Sequence, residues 1–189
     1  MTGARAGEVE RILLVGFMAS GKSTVGRELA CSMGWRFVDV DAEVERRAGR
    51  TIPDLFREDG EAAFRRLEDR TARELLQEPG VVMATGGGWP CVDGRLDALD
   101  AGTGVVWLKV DAETAAERAG ADPTVRPLLS GPDPAAQAAT LLAERERFYR
   151  RARVHVETRG RAPFDIAQEI RRALFDPPIP DVDPDPRSR

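Results

Sequence analysis

The chain is short of the residues that usually carry covalent or metal chemistry. It holds one histidine, His155, and two cysteines, Cys31 and Cys91, among 189 residues. Two cysteines build neither a disulfide framework nor a zinc site, and they suit a reducing compartment. His155 lies in a short apolar run near the C-terminal end and reads as a sheet residue, not a catalyst. Positive charge is not in excess either. With a formal net charge of -4, no general grip on nucleic acid or an anionic membrane surface is expected. Long hydrophobic runs are missing as well: the longest, Ile12 to Ala19, is too short to span a bilayer and is interrupted by Gly16, and no signal peptide is expected. The expectation is a cytoplasmic protein with neither nucleic acid nor membrane as partner. What is present, 42% hydrophobic and 32% charged residues, is an ordinary globular composition, long enough for one well-cored domain and short for two.

Residues 1–10 read as a loose arm. The last fourteen, DPPIPDVDPDPRSR, contain five of the thirteen prolines and almost nothing apolar. Such a segment buries too little surface to offset its ordering entropy, so 176–189 is expected to be a disordered tail. The domain proper is therefore placed at 11–175. Within it, short apolar runs predict strands at Ile12 to Val15, Phe37 to Val40, Val81 to Ala84, Val105 to Val110 and Val154 to Val156. Helical patterns are expected at about 22–33, 60–77, 93–101, 111–119, 134–151 and 164–175. Strand and helix in alternation imply an α/β fold with a parallel sheet covered on both faces, its ligands beyond the carboxyl ends of the strands.

At the end of the first of these strands stands GFMASGKS, from Gly16 to Ser23, which fits G-x-x-x-x-G-K-S/T between a strand and a helix. Glycines let backbone N–H groups turn inward as an anion nest, and the helix N-terminus adds partial positive charge. Lys22 would reach the β- and γ-phosphates of a nucleotide, and Ser23 would offer its hydroxyl to Mg²⁺. The loop says nothing of what receives the phosphoryl group.

Further residues bear on that. Asp39 and Asp41 close the second strand, where alternation would put both on one side. One could hold Mg²⁺ through water and the other take a proton from a hydroxyl, unless Asp41 merely caps the helix that follows. In GEAAFRRLE, Arg65 and Glu68 stand three apart on one helix face, which by itself reads as a surface ion pair. Gly86, Gly87 and Gly88 follow the third strand and would let a ligand approach bare backbone. TVRPLL places Arg126 in a loop rich in Gly, Asp and Pro, about 119–132, that could close over a phosphoryl group. Arg145 sits in ERERFYRR, a strongly charged stretch whose plain reading is a solvated face.

In this order and spacing, the phosphate loop, the aspartate pair, GE-x-x-FR-x-x-E, the triple glycine, RPLL and the later arginine resemble the shikimate kinase family, from about Ile12 to Leu174. The resemblance implies a three-layer α/β/α fold with a five-stranded parallel sheet of order 2-3-1-4-5. It also implies a monomer that uses ATP and Mg²⁺ to phosphorylate the 3-hydroxyl of shikimate on the way to the aromatic amino acids. Carried over by motif, Gly16, Ala19, Ser20, Gly21, Lys22, Ser23 and Thr24 would hold the ATP phosphates, with Arg126 descending from the lid. Ser23 and Asp39 would serve Mg²⁺, and Asp41 would meet the reacting hydroxyl. Arg65 and Arg145 would clamp the carboxylate, with Glu68, Gly86, Gly87 and Gly88 around the substrate. Arg118, Arg161 and Pro163 would flank the adenine. One departure stands out. Trp89-Pro90 follows the glycines where the family usually has a small residue, and the indole either narrows the pocket or covers the core. Alternatives are a gluconate or aminoshikimate kinase of the same fold, or a non-catalytic nucleotide-binding relative.

Overall fold

A computed structural model describes residues 9–120 and 133–176. Five strands form one sheet: β1 (Arg11–Val15), β2 (Arg36–Asp39), β3 (Val81–Ala84), β4 (Thr103–Lys109) and β5 (Val154–Glu157). Their order is β2-β3-β1-β4-β5, and every neighbouring pair is parallel. The expected architecture and strand order are thus the observed ones.

β1 is buried at all five positions because it lies between β3 and β4 with helices on both faces. Its side chains alternate between two cores. Leu13 and Val15 join Met83, Trp107, Phe64 and Tyr149 on one face. Ile12 and Leu14 join Val25, Leu29, Val82, Val106 and Ile170 on the other. The second core is closed by α1 (Lys22–Met33) and α7 (Pro163–Phe175), the first by α2 (Val40–Ala48), α3 (Ile52–Asp59), α4 (Glu61–Leu75), α5 (Ala112–Gly120) and α6 (Pro134–Tyr149). No helix among the described residues is long and apolar enough to cross a membrane.

Three local expectations need correction. The second strand stops at Asp39, not Val40, because Asp39 turns into the N-cap of α2, its carboxylate accepting from the N–H groups of Asp41 and Ala42. The cap is therefore Asp39 and not Asp41, and strand alternation does not relate the two aspartates. Residues 93–101 form successive turns instead of a helix, since Gly94 adopts a left-handed φ of 75°. Finally, α3 was not expected. Its eight residues are too few to show helical periodicity, and it depends on the Thr51 cap, with Pro53 in its first turn. Of the arm expected at 1–10, Val9 is instead buried in the second core and Glu10 pairs through its backbone with Gly80 and Gly102, while 1–8, like the lid and tail expectations over 121–132 and 177–189, lies outside the described residues.

Candidate active site

The phosphate loop leaves β1 at Gly16 and enters α1 at Lys22. Gly16 has a φ of 146°, and a Cβ there would stand 2.5 Å from the Leu108 carbonyl oxygen. No other residue fits so close to β4. Gly21 precedes α1 at a φ of 88°, and Ala19 holds a left-handed φ of 56° without being glycine. That strained residue is supported from outside: Arg118 Nη1 donates to its carbonyl at 3.2 Å, while Nη2 donates to the Thr158 carbonyl at 3.3 Å. Lys22 Nζ folds back onto the carbonyls of Gly16 (3.0 Å) and Phe17 (2.8 Å). The ammonium thus stays at the mouth of the loop. Ser20 is buried beneath it, and Thr24 is exposed on the first turn of α1.

Ser23 Oγ donates to Asp39 Oδ2 at 2.6 Å. A hydroxyl and a carboxylate this close at the end of the loop are hard oxygen donors. They fit Mg²⁺, which takes few protein ligands and keeps waters and phosphate oxygens for the rest. Asp39 serves two ends, since its other oxygen caps α2.

The expected adenine flank is less complete. Arg118 reaches across to the β5–α7 loop as described, but Arg161 is engaged with the Glu157 carbonyl and with Glu169, and Pro163 is the first residue of α7.

On the other side of the loop, four elements converge. Asp41 comes from α2, Arg65 and Glu68 from α4, Gly86 to Gly88 from the turn after β3, and Arg145 from α6. A side chain on Gly86 would begin 2.6 Å from Glu68 Oε1 and 3.0 Å from Asp41 Oδ1. One on Gly87 would begin 3.3 Å from Arg145 Nη1, and one on Gly88 3.2 Å from Arg65 Nη1. Gly86 leaves no room for a side chain and Gly87 and Gly88 leave little, because two carboxylates and two guanidinium groups crowd this turn. Glu68 is 1% exposed and accepts from Arg65 Nη1 at 2.9 Å, so the plain reading of a surface ion pair does not hold. Burial pushes its carboxyl up, against the pull of Arg65 and Arg95. Its Oε1 is buried with no hydrogen-bond partner among the described residues. Arg65 is held charged by Glu68 and Glu61, which outweigh its partial burial. Arg126 lies outside the described residues.

The triple-glycine turn has a further property. Its three carbonyls are occupied: Gly86 O by Trp89 N–H, Gly88 O by Cys91 N–H, and Gly87 O by the Tyr149 hydroxyl at 2.6 Å and the Cys91 thiol at 3.4 Å. The N–H groups of Gly87 and Gly88 have no backbone partner among the described residues. Trp89 is 2% exposed and sits in the main core, so it covers that core and does not narrow the pocket. Arg95 lies 5.0 Å over its ring, donates to its carbonyl at 2.5 Å and pairs with Asp69. Tyr149 was not picked out from sequence. The available signal is its position one helical turn after Arg145.

A doubly wound parallel sheet, a phosphate loop after its central strand and a cationic acceptor pocket beside that loop define a P-loop phosphotransferase of small molecules. Comparison with known proteins narrows this. The family model for shikimate kinase matches residues 18–175. A shikimate kinase of Synechococcus sp. (strain RCC307) is 43% identical over 163 residues, covering 86% of this chain and 83% of that protein. A solved shikimate kinase from Acinetobacter baumannii, in complex with shikimate, superposes with a TM-score of 0.82 at 36% identity over 92% of this chain and 97% of that one. A gluconokinase from Sinorhizobium meliloti, at 21% identity and a TM-score of 0.52, shares the fold alone. The chain belongs to the shikimate kinase family.

Proposed function

We propose that the protein transfers the γ-phosphoryl group of ATP to the 3-hydroxyl of shikimate, giving shikimate 3-phosphate and ADP. The observation that carries the acceptor side is the pair of guanidinium groups, Arg65 and Arg145, set against a turn that presents two open N–H groups. Two planar forks and two backbone donors suit a carboxylate on a neutral ring far better than a polyol. Asp41, across Gly86 from Glu68, would orient the attacking hydroxyl and accept its proton. Glu68 holds Arg65 from behind, and Lys22 would turn from the loop carbonyls to the phosphates. Ser23 and Asp39 would hold Mg²⁺, which neutralises charge on the phosphates when bound. Arg126 is assigned to the lid from its motif alone. Arg65, tied to Glu68, and the two N–H groups would be set before substrate arrives, and phosphoryl transfer gains most from such positioning. The reading carries with it a monomer acting in the cytoplasm on a small acid.

The test is ADP release by the purified protein with Mg-ATP, with shikimate and with gluconate as control. Release that depends on shikimate is expected. Release that depends on gluconate and ignores shikimate would overturn the acceptor assignment.

A further inference from the structure

The hydroxyl of Tyr149 has no part in the mechanism above, yet it is wholly buried and ends on the peptide that faces the acceptor. In a trans peptide, C=O and the following N–H point in opposite directions. Whatever holds the Gly87 carbonyl therefore decides where the Gly88 N–H points. Two groups hold it, Tyr149 Oη at 2.6 Å and Cys91 Sγ at 3.4 Å. The first is a strong donor, the second a weak one. Burial pushes the titration of both groups up, so both keep their protons and remain donors. The helix matters too. Arg145 and Tyr149 are one turn apart on α6, so the guanidinium beside Gly87 and the hydroxyl on its carbonyl are placed by the same rigid segment.

We propose that Tyr149 is a positioning residue for the acceptor: by holding the Gly87 carbonyl toward the core, it aims the Gly88 N–H into the cradle formed by Arg65 and Arg145. This rests on the acceptor assignment above. Cys91 is the auxiliary donor. A glycine-glycine peptide with no side chains to hold it rotates readily, so the loop needs such an anchor.

Steady-state kinetics on Tyr149→Phe test this, because the variant keeps the ring and its packing and removes only the donor. The expected result is a shikimate KM raised about tenfold, the scale of one buried acceptor left half-satisfied, with the ATP KM unchanged. Cys91→Ser in the same background puts a better donor on the carbonyl and should return much of the lost affinity. A purely structural tyrosine would lower Tm without that split and without rescue. An unchanged shikimate KM, or a rise that Cys91→Ser leaves in place, overturns the proposal. Should Tyr149→Phe not fold, Cys91→Ala carries the same test with a smaller rise of about threefold, and no rise refutes it. Failure of the parent protein to use shikimate at all would remove the acceptor assignment and this proposal with it. A normal parent with a normal variant removes only the role of Tyr149.

Discussion

Replacing Gly86 with alanine tests the acceptor pocket with a single methyl group. The new carbon would start 2.6 Å from Glu68 Oε1 and 3.0 Å from Asp41 Oδ1, whereas ordinary contact begins at 3.4 Å. Glu68 must then retreat by roughly 0.8 Å, a change of overpacking type that costs about 1–3 kcal/mol of stability. It has little room, being buried and tied to Arg65. The guanidinium will follow the carboxylate, so one methyl displaces Asp41, Glu68 and Arg65 together. A misplacement approaching 1 Å of groups that position reactants costs on the order of 10²-fold in rate. Gly86 does not have a left-handed φ, so alanine adds no backbone strain. The assay is kcat/KM for shikimate by coupled ADP release, with ADP affinity measured on the same sample as a check on the phosphate loop. We expect kcat/KM to fall about a hundredfold while ADP affinity stays unchanged. A variant that keeps shikimate kcat/KM within a factor of three would show that the carboxylates do not depend on the bare Gly86 position, and the pocket argument would fail.

Two further outcomes follow from the same reasoning. Arg126→Ala should lower turnover by about 10³-fold or more with shikimate KM little changed, if it clamps transferring phosphate as such arginines do; normal turnover would remove it from the lid role. The other concerns Glu43, whose carboxyl is held at about 2 by hydrogen bonds from Arg46 and Arg47, below its ordinary 4.5. A folded value below the unfolded one means stability that is present above pH 4.5 and is lost as pH falls toward 2. Glu43→Gln should therefore lose up to about 1 kcal/mol at pH 7 and less at pH 3, by urea midpoint. An equal loss at both pH values would show that the ion pairs contribute nothing.

The parts of the molecule that could be read from sequence are those in which the cause is local. Gly16, Gly21 and Lys22 stand within seven residues, and each is required by the backbone of its own turn, so the loop was plain. β1 was plain because burial on both faces leaves no polar position in its centre. Asp39 and Asp41 do stand at the end of β2, but not by strand alternation: Asp39 ends its strand by capping α2, and Asp41 lies in the helix. The helix expected at 93–101 failed on one glycine, Gly94, whose left-handed φ cannot be known from a pattern. Glu68 looked like half of a surface pair because helical spacing shows its partner and not its burial. Tyr149 was invisible for a related reason. It lies in a charged stretch that reads as solvated, and its partner is 62 residues away in the chain. Contacts of that kind belong to the tertiary fold.

The order of the strands divides the work of the pocket. The groups assigned to the nucleotide phosphates hang from β1 and α1, with Asp39 reaching over from β2. Those assigned to the acceptor come from α2, α4, the turn after β3 and α6. Side chains on this second set can change while the nucleotide half keeps its shape. The scaffold is thus a fixed donor socket with an exchangeable acceptor wall. Trp89, locked under Arg95 behind the glycine turn, shows how much bulk the layer behind that wall can hold.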